Sequence, residues 1–288
     1  MQSGLKNEES SNVPSTKKDM VTVFSSQPLN FIEYCKELIK YKDLIWIFAF
    51  KEIKVAYSQT YLGLFWSIIR PLFTLLIFTI IFRVFLHVPT RAPYYLFAFS
   101  GMIAWNFFSQ IATNASSAII QNQQLIHKMY FPKLILLLSK ILVVGVETGI
   151  SLILLLALLL FSGENPGISI LSLPLFIFIN MLCGLTVAVW MNAINTRFRD
   201  LNQIVPVIIG IAIWVTPVFY PTTIIPAGYE FFVYANPLAG VIKGYRFALL
   251  GDDFPEWPYW VSMLTTVALS IAGTMFFTTV EEEIVSYS

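Results

Sequence analysis

Glu147 is the only carboxylate in an apolar run that extends from Leu134 to Phe161. An ionised side chain in hydrocarbon costs several kcal/mol unless it is paired or hydrated. Two readings fit it: a polar group facing a translocation path, or a structural carboxylate that is protonated or paired with an arginine of the first apolar run, about 62–86. A single charge makes a poor relay, which favours the structural reading. Gly145 and Gly149 flank it in GVETG, a small-xxx-small spacing that predicts close approach of another helix. Arg70 and Arg83 bracket a second apolar run. Arg83, near its end, suits snorkelling to the headgroups; Arg70, beside Pro71, suits either snorkelling or a phosphate head group at the membrane boundary. Asn106, Gln110 and Asn114 recur every fourth residue, a polar stripe that turns toward protein or water.

Bond-making chemistry has little to work with. The chain contains no GxxxxGK[ST], so it has no P-loop with which to cradle a nucleotide, and HExxH and GxSxG are absent as well. Its two histidines, His87 and His127, are far apart, and Cys35 and Cys183 are isolated thiols without a CxxC. No metal or cofactor is expected in this chain. Hydrophobic residues make up 57% of the 288 and charged residues 12%. Soluble domains carry about a quarter charged residues, so these residues belong in a bilayer and the work is movement.

The elements that must position these groups follow from the apolar runs. The expected class is an all-α integral membrane protein with six transmembrane helices. Residues 1–30 are polar, lack the apolar core of a signal peptide, and predict a disordered cytoplasmic tail. Residues 31–57 predict an amphipathic helix lying in the membrane surface, because the apolar stretch Leu44–Phe50 is too short to cross. Residues 58–288 form the membrane domain, with crossings over about 62–86, 95–114, 134–161, 170–194, 204–220 and 257–280. Lys and Arg number 13 in the segments 1–57, 121–140 and 195–203, against 4 in the segments between the alternate ends. Both termini are therefore expected in the cytoplasm. Lys36, Lys40, Lys51 and Lys54 suit anionic lipid at the inner leaflet or a solvated helix face. Tyr61, Phe65, Trp66, Phe73, Trp105, Trp214, Phe219 and Tyr220 fall near membrane boundaries or bends. They suit interfacial anchoring, and some could line a path for sugars.

The blocks VAYSQTYLGLFWSIIRPL, LFAFSGMIAWNFF, HKMYFPKLIL, NTRFRDLNQIVP and NPLAGVIKGYRFALLG, in this order, resemble the permease subunits of polysaccharide-exporting ABC transporters of the ABC-2 class. These export O-antigen, capsule and teichoic acid polymers. The resemblance implies a homodimer in the cytoplasmic (inner) membrane, with a channel at its interface, resting on two copies of a separate ATPase that binds ATP and Mg. It implies an interface helix over 31–57, ATPase coupling by His127, Lys128, Tyr130 and Phe131 with a second contact at Arg197, Arg199 and Asp200, and short outer-leaflet gate helices over 221–251. The cargo it implies is a polyprenyl-diphosphate-linked polysaccharide, its head group drawn to Lys36, Lys40, Lys51, Lys54 and Arg70, its sugars moving along the aromatic rings; nucleic acid is not a partner. Two other functions remain open: an ABC-2 exporter of a drug or small lipid, and a proton-coupled secondary transporter.

Overall fold

A computed structural model describes residues 31–58, 65–126, 128–195, 201–226 and 228–287, and every regular element among them is helical. The tail 1–30 lies outside the described residues. The surface helix expected over 31–57 is two helices, α1 (Phe31–Lys40) and α2 (Lys42–Ser58), parted by a turn at Tyr41. Only α1 has distinct apolar and charged faces. The Leu44–Phe50 stretch makes α2 apolar round most of its girth: Phe48 packs inward on Phe131, with ring centroids 5.8 Å apart, while Trp46, Ile47 and Phe50 are exposed. A surface of that kind suits a lipid boundary.

The first crossing is α3 (Trp66–Thr79), which widens into a π-helical turn over Ile80–Phe85. His87, with φ of 52°, then reverses the chain into α4 (Tyr94–Ser116). Two single turns, α5 (Ala118–Gln121) and α6 (Gln123–Ile126), lead to the long α7 (Leu134–Ser162). Gly163, in the left-handed conformation, ends it. A 3-10 segment, Gly167–Ser172, opens α8 (Leu173–Asn195). After it come α9 (Leu201–Val215), α10 (Glu230–Tyr234), α11 (Pro237–Leu250) and α12 (Trp257–Tyr287).

Among the described residues, four helical stretches are long and apolar enough to cross a membrane: Trp66–Phe85, Leu134–Ser162, Gly167–Asn195 and Trp257–Val280. At 23 residues α4 has the length, but its Asn, Gln and Ser residues make it more polar than these four. That polarity is compatible with lipid because α4 is wrapped by α3, α7, α8, α9 and α11. Asn180, Asn192 and Asn195 of α8 donate amide N–H groups to the α4 carbonyls of Ala104, Ala115 and Ser116 at 2.9, 2.7 and 3.1 Å. Side chain to backbone bonds of this kind hold helices together where no hydrophobic force distinguishes protein from lipid.

Two expectations are corrected. The fifth crossing, predicted over about 204–220, stops as a helix at Val215, and residues 216–220 form a hook. Pro217 cannot donate an N–H to continue the helix, and the Tyr220 hydroxyl turns back to donate to the Val215 carbonyl at 3.0 Å. The segment 221–251 does contain short helices, but α11 is a core element: Leu238, Val241, Ile242, Tyr245, Ala248 and Leu249 are buried against α4, α8 and α12. Asn236 caps α11, accepting from the Leu238 N–H at 3.0 Å, with Pro237 as its first residue.

Candidate functional site

Arg70, Thr74 and Phe78 recur every fourth residue on α3 and so share one face of it. That face fronts a cavity of about 510 Å³. Asn106 and Gln110 of the α4 polar stripe line its floor, with Trp105 and Met102 beside them; Glu147 and Ser151 of α7 form one side, and Ile213 and Phe219 lie at its far end. At the near end stand Tyr57, Trp66 and Ser67. From Trp66 to Phe78 the helix rises about 18 Å. Polar groups thus line an elongated groove whose outer shell is apolar.

Tyr57 closes the near end by joining three helices. Its hydroxyl donates to Glu147 Oε1 at 2.9 Å and lies 2.9 Å from Ser67 Oγ. Burial pushes the Tyr57 hydroxyl above its ordinary range, against the lowering effect of the Ser67 bond and with that of the Glu147 carboxylate. It therefore stays protonated at neutral pH and remains a donor. With its one hydrogen given to Glu147, it accepts from Ser67. Seven residues earlier on α7, Lys140 Nζ meets Glu52 Oε1 of α2 at 2.9 Å and donates to Gln121 Oε1 of α5 at 3.1 Å. The surface helix α2 is clamped to α7 at two levels.

The structure brings Arg70, Trp66, Trp105, Phe219 and Glu147 to one cavity. The Arg70 guanidinium carbon lies 5.7 Å from the Trp66 ring centre, a cation over an aromatic face. Phe65, Phe73, Trp214 and Tyr220 do not line the cavity; Phe65, Phe73 and Trp214 are exposed on the outer shell, and Tyr220 caps the end of α9. Lys36, Lys40, Lys51 and Lys54 are exposed along α1 and α2, away from the cavity lining. Lys128 and Tyr130 are exposed, but Phe131 is 4% exposed and packs under α2, a ring of the core rather than of an outer docking surface. Tyr61, His127, Arg197, Arg199 and Asp200 lie outside the described residues.

The close approach expected at Gly145 and Gly149 is not made within this chain: a methyl group at either would touch nothing within 4 Å among the described residues. Each is two residues from Glu147, about 200° round the helix, so a Glu147 that faces the groove turns both glycines outward.

Sequence reasoning missed two residues. Phe78 was legible from the four-residue spacing that it shares with Arg70 and Thr74. Arg246 was not: it sits in α11, in the segment for which the resemblance implies short outer-leaflet gate helices, yet it is 5% exposed, with Nη2 donating to the Val218 carbonyl at 2.7 Å.

The family model for the ABC-2 type transporter matches residues 43–250, from α2 to the last residue of α11. The chain is 27% identical over 237 residues to an O-antigen export system permease protein RfbA of Klebsiella pneumoniae, covering 82% of this chain and 91% of that protein. It is 26% identical over 257 residues to the RfbA of Myxococcus xanthus, covering 88% and 98%, and 24% identical over 238 residues to the polysialic acid transport protein KpsM of Escherichia coli, covering 81% and 91%. The match spans every residue that lines the groove, and the chain belongs to the ABC-2 type transporter family.

Proposed function

We propose that this chain is the membrane subunit of an ATP-driven exporter that moves a lipid-linked polysaccharide across the cytoplasmic membrane. The observation that carries this reading is the groove, a polar and aromatic channel wall inside an apolar shell. Sugar rings have apolar faces that pack on aromatic rings such as Trp66, Phe78 and Phe219, and hydroxyls that pair with Asn106, Gln110, Thr74 and Ser151. The names of the relatives, O-antigen and polysialic acid export proteins, support a glycan as cargo.

The lipid diphosphate enters beside Arg70, whose planar fork of donors matches phosphate oxygens. Lys36, Lys40, Lys51 and Lys54 draw it to the inner leaflet. In this reading α3, α4, α7, α8, α9 and α12 are six crossings with both termini in the cytoplasm, in keeping with the 13 to 4 distribution of Lys and Arg. Residues 221–236, ahead of the core helix α11, form the outer gate segment. The chain works as a homodimer, because exposed apolar surface on α3 and α9 flanks the groove: Leu72, Phe73 and Leu76 on one side, Ile208, Ile211 and Trp214 on the other. A second copy covers that surface and turns an open groove into a channel. Two copies of a separate ATPase drive it, docking at the α5–α7 segment through Lys128 and Tyr130 and at residues 195–203. ATP closure of the partner moves α2, and the Glu52–Lys140 and Tyr57–Glu147 clamps pass that motion to α7 and the groove. ATP shifts the equilibrium by its differential affinity for the two states.

Arg70 gives the test. In cells lacking the native copy, Arg70→Ala is expected to lower surface polymer by about tenfold, the worth of about 1.4 kcal/mol from one lost charge-assisted contact. Arg70→Lys should be intermediate, and Lys36→Ala or Lys40→Ala much milder. Equal surface polymer for Arg70→Ala and wild type, at matched expression, would remove the phosphate from this site.

A further inference from the structure

One pair of stacked rings stands at the far end of the groove. Phe78 of α3 and Phe219 of the 216–220 hook stack with centroids 3.6 Å apart and planes 2° from parallel, and both line the cavity. Behind them Phe82 lies 6.0 Å from Phe219 and 6.3 Å from Tyr94, so the seal is an aromatic column rather than a single side chain.

The hook that carries Phe219 is held from behind by two successive carbonyls. Arg246 Nη2 donates to the Val218 carbonyl at 2.7 Å, and the Tyr94 hydroxyl donates to the Phe219 carbonyl at 2.9 Å. The Arg246 guanidinium carbon lies 3.5 Å from the centre of the Phe97 ring, and its Nε has no hydrogen-bond partner among the described residues. No ion pair holds Arg246 among the described residues. The Asp252 carboxylate is near enough to interact with the Arg246 charge but makes no ion pair with it, and a buried cation so placed is poor material for stability, since an apolar residue of similar size usually packs at lower cost. Gly101 leaves room for this bond: a methyl group there would sit 2.7 Å from the Val218 oxygen and 3.0 Å from Arg246 Nη2. Three elements, α4, the hook and α11, therefore converge on one hydrogen bond whose outcome is the position of the Phe219 ring.

We propose that Phe78 and Phe219 are the gate at the far end of the groove, and that Arg246, with Tyr94, is the latch that positions it. The inference rests on the export reading only for the identity of the cargo; the seal itself is tested without any polymer. Opening parts the two rings, and because a single hydrogen bond from Arg246 carries the Val218 carbonyl, the hook swings without unfolding α9 or α11.

The experiment measures passive efflux of entrapped sucrose from proteoliposomes that hold the permease with its partner ATPase, in the absence of ATP. Phe219→Ala and Arg246→Met are expected to raise efflux several-fold over wild type. Leu264→Ala, at an exposed apolar position of α12, should leave it at the wild-type rate. Phe78→Ala, at a half-buried ring, gives the same readout should either buried variant fail to assemble. Wild-type efflux from assembled Phe219→Ala and Phe78→Ala would overturn the gate, and raised efflux from these two with wild-type efflux from assembled Arg246→Met would overturn the latch. Failure of the wild type to export glycan, with the leak pattern intact, would sink the export reading and leave the gate standing.

Discussion

Tyr57 and Glu147 make a bond that reads as structural in its geometry and as functional in its place. The phenol donates to the carboxylate and accepts from Ser67, so α2, α3 and α7 meet at one oxygen on the groove wall. Glutamine at 147 keeps an acceptor for the Tyr57 hydroxyl while removing the charge. Glu147→Gln is therefore expected to assemble and export as wild type. Glu147→Leu removes one hydrogen bond and leaves the Tyr57 hydroxyl only Ser67 to pair with, a loss of about 0.5–1.5 kcal/mol. Its thermal unfolding in detergent should shift down accordingly. Loss of export by a Gln variant that is stable and assembled would show that the charge itself handles cargo. Charged residues in apolar runs stand out in a sequence, which is why Arg70 and Glu147 were legible. Arg246 was hidden because its burial depends on Gly101 and the Val218 carbonyl, 145 and 28 positions away along the chain.

Among the elements, α11 departs furthest from expectation. Its sequence, PLAGVIKGYRFALL, falls in the segment for which the resemblance implies short outer-leaflet gate helices. The fold buries it instead, and Gly244 is the reason: a methyl group there would sit 2.1 Å from the Phe176 ring of α8. Tyr245, next to it, is fully buried, its hydroxyl 3.4 Å from Asn180 Nδ2 on α8. Gly244→Ala is expected to destabilise the protein by about 1–3 kcal/mol, the usual cost of overpacking. Phe176→Leu should recover part of that loss in the double variant, because the colliding atoms are ring carbons. Additive losses in a thermal unfolding series would show that the two do not share the contact. The long helices α7 and α8, and the start of α12, were legible within a few residues because uninterrupted apolar length specifies them, whereas α12 runs on past Val280 through three glutamates to Tyr287. The end of α9 was not, because a carbonyl-satisfying hook and a continued helix share the same apolar letters up to Pro217.

At the scale of the whole molecule, α4 is buried on nearly every side, whereas α3 and α9 leave large apolar faces open on either side of the groove. The sequence carried the groove's ingredients, the four-residue polar stripe of α4 and the α3 face through Arg70, but not their meeting. That meeting depends on α8 drawing α4 into place through Asn180, Asn192 and Asn195. In the proposed reading, a second copy completes the groove into a channel and a separate ATPase drives it. The direct measurement is transport by the purified permease, reconstituted with its partner ATPase and a polyprenyl-diphosphate-linked glycan in sealed vesicles, scored as polymer protected from or exposed to an added glycosidase. The account predicts polymer crossing the bilayer only with ATP, abolished by a Walker-A lysine variant of the partner and unaffected by a protonophore. Translocation that persists without hydrolysable ATP and collapses with the protonophore would contradict it.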